Sequence, residues 1–170
     1  MSEKSIDPRH AELVLVEIAG KTLGVPVERV RYALSSQRLD GVPLAPAAVA
    51  GVVNLRGRVA VAIDLRCCLE GRGSTPPEQQ QCLVIEVRGE LYALLVDTVG
   101  EVVRFAETAA IDDNITAFAP RWQHLLRQLL RTEEGIVAEL DIERVLEVAC
   151  SNASSSSPSG DANREVVLGG

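Results

Sequence analysis

Four kinds of side chain in this 170-residue sequence could do chemistry. Cys67, Cys68, Cys82 and Cys150 could bind metal or exchange disulfides, and His10 and His124 could move protons. Asp64 and Asp141 could form a carboxylate pair, and Arg56-Gly57-Arg58 could hold cations on a turn. Spacing argues against most of these. Neither a Cys-x-x-Cys nor a Cys/His spacing suited to zinc occurs, so no metal or cofactor is expected. The cysteines read as small, buried or half-buried apolar fillers. His10 lies in a polar N-terminal stretch, and His124 lies on a predicted helix with no Ser or Cys nearby in sequence, so the chain is not expected to be an enzyme. Asp64 and Asp141 each stand immediately before a segment of helical spacing, where a carboxylate accepts the free N–H groups of a helix start. A catalytic pair would need the two to meet in a cleft, which nothing in the sequence requires.

The composition narrows the function classes further. Lys and Arg number 17 against 24 Asp and Glu, a formal charge of −7, and no stretch concentrates basic residues. Nucleic acid is therefore not an expected partner. The aromatics are Trp122, Tyr32, Tyr92, Phe105 and Phe118, too few for a platform on which bases or sugars could stack. No apolar run approaches the roughly 18 residues that span a bilayer, so direct membrane insertion is not expected. Residues 1–10 lack the apolar core and cleavage site of a secretory signal, which points to the cytoplasm.

The elements that must position these residues are mainly strands. Leu13–Ile18 and Thr22–Val25 flank Ala19-Gly20-Lys21, and Val52–Leu55 and Val59–Ile63 flank Arg56-Gly57-Arg58. Both read as hairpins, the second with a cationic tip. An internal repeat relates the two halves. Glu17-Ile18-Ala19-Gly20 matches Glu86-Val87-Arg88-Gly89 at an offset of 69, and the same offset pairs Val14 with Leu83, Val16 with Ile85, Leu23 with Tyr92 and Val30 with Val99. A second echo relates Ile63-Asp64-Leu65 to Leu140-Asp141-Ile142 at an offset of 77. Two related β-units, about 12–70 and 80–149, are expected to pack together and leave a groove suited to a peptide or helix. Residues 1–11 read as a flexible N-terminus and 150–170 as a Ser-rich flexible tail, with folded structure ending near Ala149. Between 121 and 140 two readings stay open. Trp122, Leu125, Leu126, Leu129 and Leu130 have helical spacing, yet Leu126–Leu140 also reads as two strands around Thr132-Glu133-Glu134-Gly135.

Val42-Pro43-Leu44-Ala45-Pro46, followed by Gly51-Val52-Val53-Asn54-Leu55-Arg56-Gly57 and then Ile63-Asp64-Leu65-Arg66, resembles the signature of CheW-like chemotaxis coupling proteins. Leu94–Val102 and Gly135–Leu146 resemble the family's second-half motif and its C-terminal strand and helix, so the resemblance covers about residues 12–149. It implies two intertwined five-stranded SH3-like β-barrel subdomains with short helices. It also implies a non-enzymatic adaptor that couples methyl-accepting chemoreceptors to a CheA-type histidine kinase and is recruited to membrane-bound receptor arrays. The implied partners are the cytoplasmic hairpin tip of the chemoreceptor, held in the groove between barrels, and the kinase's regulatory domain, bound end to end. An alternative is an adaptor of a non-swimming chemosensory pathway, for surface sensing, attachment or second-messenger control. Carried over by position, Gly51, Asn54, Leu55, Arg56 and Gly57 belong to the coupling surface, and Val27, Val30, Val99 and Gly100 line the apolar groove. Tyr32 stands where the family usually carries an acid, and so either packs into the groove or marks a different receptor. A guanidinium at the rim can fix register by bidentate pairing with a carboxylate.

Overall fold

The stretches related by the offset of 69 fold as the same hairpin. In the first, β1 (His10–Ile18) turns through Ala19 and Gly20 into β2 (Lys21–Pro26); in the second, β6 (Gln81–Val87) turns through Arg88 and Gly89 into β7 (Glu90–Val96). Both turns carry positive φ at both central residues, 53° and 79° in one and 52° and 80° in the other. That combination defines the I′ turn, whose twist matches that of the flanking strands. The computed structural model describes residues 10–71, 80–106, 110–111, 118–132 and 135–156. Its remaining elements are a 3-10 turn (Val27–Arg29), β3 (Val30–Leu34), β4 (Val49–Leu55), β5 (Arg58–Asp64), α1 (Leu65–Glu70), β8 (Thr98–Ala106), β9 (Ala110–Ile111), α2 (Pro120–Gln123), β10 (Leu126–Thr132), β11 (Gly135–Leu140) and α3 (Ile142–Ser156). No helix among the described residues is long and apolar enough to cross a membrane.

Two sheets form, in the orders β8-β1-β2-β11-β10-β9 and β3-β6-β7-β5-β4. Each has five longer strands, and the first gains the two-residue β9 at its edge. Each also draws strands from both halves of the sequence, which is the intertwining the family resemblance implied. Leu23 of β2 pairs in parallel with Ala138 of β11, and Tyr92 of β7 pairs in parallel with Val61 of β5. Those two pairs are images of one another under the offsets of 69 and 77. So are Val16↔Val99 and Val30↔Ile85. The Asp64 N–H donates to the Ala48 carbonyl and the Asp141 N–H to the Leu125 carbonyl, both at 2.8 Å, and these bonds are images too. Each hairpin has thus been exchanged into the other half's sheet, giving the molecule an internal twofold relation.

Three apolar clusters follow from this exchange. One lies inside the second sheet, where Val53, Leu55, Ala62, Val84, Ala93 and Leu95 meet Tyr32 and Leu34. Because β3 and β4 are opposite edges yet share this cluster, the sheet curls like a barrel without closing its hydrogen bonds. Leu13, Leu15, Phe105, Leu130 and Val137 do the same for the first sheet. The largest cluster fills the space between the sheets and receives one face of α1 and of α3. Each fully buried Leu or Ile in it contributes about 1.5–3 kcal/mol.

The open reading of 121–140 resolves into a single helical turn followed by a hairpin. α2 ends at Gln123, and Leu126 already pairs with Leu140. At the C-terminal end, α3 runs to Ser156, seven residues beyond the expected end of structure at Ala149. Ile142, Val145 and Ala149 anchor it on the central cluster, and Glu143 ties it to Arg29 at 3.0 Å and to Arg88 at 2.7 Å. Residues 1–9 and 157–170 lie outside the described residues.

Candidate functional site

The β4–β5 hairpin builds its tip from the spacing Asn54-Leu55-Arg56-Gly57. Leu55 pairs with Arg58 to close the turn, and Arg56 and Gly57 take φ of 57° and 88°. The Gly57 N–H donates to Asn54 Oδ1 at 2.9 Å, so the Asn54 side chain braces the turn from one strand. Leu55 points inward at 6% exposure and plugs the barrel-like cluster. Its part in the surface is therefore to anchor the tip, because its side chain is not available to a partner. Gly51 is also buried. A Cβ there would stand 2.6 Å from the Asp40 carbonyl oxygen, and only glycine lets Asp40 and Val52 exchange their backbone hydrogen bonds of 2.9 and 2.8 Å. Gly51 thus stitches the loop after β3 onto β4.

Arg56 is exposed, with its guanidinium carbon 5.6 Å from the centre of the Tyr32 ring. The ring itself is half-buried against the barrel interior. The neighbouring arginines are engaged otherwise. Arg31 Nε lies 2.9 Å from Glu86, and Arg58 lies 3.9 Å from the same carboxylate while donating to the Gly89 carbonyl at 3.2 Å. Among the described residues Arg56 has no carboxylate partner. This patch of Arg31, Tyr32, Arg56, Arg58 and Glu86 was not legible as a unit in the sequence. The repeat could have placed the β6–β7 turn, but only the β3–β6 pairing carries Arg31 to Glu86.

The other expected groove residues are placed elsewhere. Val27, Val30 and Val99 are half-buried against the central cluster. Gly100 is exposed on β8 and lines a groove of about 480 Å³ with Glu17, Thr22, Thr98, Glu101 and Ile136. The structure therefore joins Tyr32 to the Arg56 tip, places Val30 at the start of the same strand with Val27 in the 3-10 turn before it, and puts Val99 and Gly100 on the other sheet. Sequence reasoning gave no separate role to Leu44, which is 99% exposed at a φ of 64° between Pro43 and Pro46. Its only signal was membership of the Val42–Pro46 motif.

Both aspartates cap helices. Asp64 accepts the Cys67 N–H at 3.1 Å and Asp141 the Arg144 N–H at 3.2 Å. Burial raises the pKa of the Asp64 carboxyl above its ordinary value of 3.8, opposed by the hydrogen bonds from Cys67 and Arg66. Beside it, Arg66 reaches Asp97 at 2.7 Å, and the Ala19 N–H reaches the same oxygen at 2.9 Å, tying α1 to the β1–β2 turn through the corner between β7 and β8. Burial pushes the Cys68 thiol up to about 12 and the Cys82 thiol to about 11. Such thiols are poor nucleophiles at neutral pH. Cys67 is buried too, whereas Cys150 is exposed on α3, against the expectation of a filler, because it follows Ala149 away from the apolar face. His124 is exposed and offers its carbonyl to Arg144 at 3.2 Å. Among the described residues no group of three or more His, Cys, Asp or Glu could hold a metal ion.

A family model described as a CheW-like domain matches residues 12–150. The chain is 31% identical over 100 residues to a probable chemotaxis protein CheW of Rhizobium etli, covering 59% of this chain and 64% of that one. It is 24% identical over 139 residues to the chemotaxis protein CheW of Thermotoga maritima, covering 82% of this chain and 89% of the relative. Among solved structures it resembles the scaffolding protein TtCheW of Thermoanaerobacter tengcongensis, with a TM-score of 0.66 at 20% identity, covering 77% and 88% of the two chains. At that identity the likeness establishes the fold.

Proposed function

The chain belongs to the CheW-like domain family, and from that premise we propose that it is a non-enzymatic adaptor coupling methyl-accepting chemoreceptors to a CheA-type histidine kinase. The observation that carries this reading is the hairpin tip: a guanidinium held outward on a braced turn, with no ion-pair partner among the described residues and no nucleophile or acid–base pair beside it. A surface of that kind recognises a partner and performs no reaction. The proposed occupants are the cytoplasmic hairpin tip of a chemoreceptor, against the half-buried apolar positions Val27, Val30 and Val99 with Gly100, and the kinase's regulatory domain, docked end to end. Binding both raises the effective concentration of kinase at receptor and recruits the protein to receptor arrays.

The reading is tested by capture from cell extract with the purified protein as bait, beside Arg56→Glu. The wild type should recover a membrane chemoreceptor and a histidine kinase. The variant should recover at least one of them poorly while its thermal unfolding stays within a degree or two, because an exposed turn charge contributes little to folding. Wild type recovering neither, from an extract containing both, overturns the proposal.

A further inference from the structure

We infer that the Tyr32–Arg56 end of the β3–β7 sheet is a carboxylate-binding site, in which the tyrosine ring holds the guanidinium open for an acidic segment of a protein partner. The inference rests on the adaptor reading for the identity of that partner, but its geometry stands without it.

Three arginines cluster here around one internal carboxylate. Arg31 and Arg58 both turn to Glu86, and the third, Arg56, lies over an aromatic face instead. The distinction matters chemically. A carboxylate at position 32 would take up the N–H donors of Arg56 in an internal ion pair, whereas a ring face attracts the cation through its quadrupole and leaves those donors unused. The ring is fixed by its contact with the barrel interior, and the turn is fixed by the Asn54 brace and the buried Leu55. The guanidinium is therefore pre-oriented, and less ordering remains to be done on binding. Three cations against one acid also make this a locally positive end on a chain of charge −7. The twofold relation shows that the site is not duplicated: the mate of Tyr32 at the offset of 69 is Glu101, an exposed acid on β8. The second and third arginines are already held by Glu86, so one guanidinium is left to offer its paired N–H donors, which suits one carboxylate.

Two measurements test this. In the first, the Arg56 side-chain N–H resonance of the full-length protein is titrated with acetyl-Glu-amide, and with inorganic phosphate for comparison. A saturable shift with the glutamyl probe, weaker with phosphate and abolished in Tyr32→Glu, is expected. No shift, or phosphate binding at least as well, overturns the site regardless of any adaptor role. In the second, affinity for the captured kinase or receptor fragment is compared across variants. Tyr32→Phe should stay within about twofold of wild type, and Tyr32→Leu should weaken binding roughly three- to tenfold. Tyr32→Glu should weaken it about as much as Arg56→Asn, which keeps a residue suited to the left-handed turn and so should stay folded. Unchanged affinity in Tyr32→Leu and Tyr32→Glu, with wild type binding well, overturns this inference and leaves the adaptor reading standing. Failure of wild type to bind either partner overturns the adaptor reading, and with it the partner named here.

Discussion

Asp64 caps α1 from a half-buried position whose burial opposes its ionisation, raising its pKa above 3.8. The folded state therefore holds that proton more tightly than the unfolded chain. Charging Asp64 weakens the fold as pH rises from 3.8 through the folded value, and the loss is complete above it. Asp64→Asn keeps a capping oxygen and removes the charge, so it should be at least as stable as wild type at pH 7, with the difference closing below pH 3.8. Asp64→Ala should be about 1 kcal/mol less stable at neutral pH, from the lost cap. Urea unfolding of the three proteins at pH 3 and pH 7 checks this; Asp64→Asn falling well below wild type at pH 7 would contradict it. At this scale much was legible, since an acid directly before an apolar helix start reads as a cap. The Tyr32–Arg56 contact was not, because residues at opposite edges of a sheet meet only when the sheet curls.

β10 shows why the leucine spacing leaves an element open between helix and strand. Leu129 faces the central cluster and Leu130 the interior of the first sheet, so both faces of the strand are buried. Two-faced burial, with a register shift between Leu126 and Gln128, produces leucines at 125, 126, 129 and 130 that mimic helical spacing. The period of 2 is lost when neither face meets water. Alanine at either Leu129 or Leu130 should lower the unfolding free energy by about 2–5 kcal/mol, measured by chemical denaturation. A change below about 1 kcal/mol at either would mean that face is open. The hairpins were legible because their turns carry Gly at the second central position and their strands are edged by polar residues. The extent of α3 was not, since its last turns are a Ser-rich stretch whose composition argues against order.

Across the whole molecule, the repeat announced the twofold relation but not the exchange of hairpins, because offsets in sequence do not say which sheet a strand joins. That exchange makes each sheet depend on both halves, so unfolding should be a single transition. Trp122 fluorescence and far-ultraviolet circular dichroism should give the same urea midpoint; two separated midpoints would show halves that stand alone. The same interweaving holds the Arg56 tip and Val99 with Gly100, which lie on different sheets, in one folded unit, which suits the proposed binding of two partners. The most direct test is reconstitution: a CheA-type kinase and its chemoreceptor in vesicles, with kinase autophosphorylation measured as this protein is added. Autophosphorylation should rise and become responsive to the receptor's ligand only when wild type is present, and not with Arg56→Glu. Kinase activity that is independent of the protein, or equally supported by Arg56→Glu, would contradict the adaptor reading.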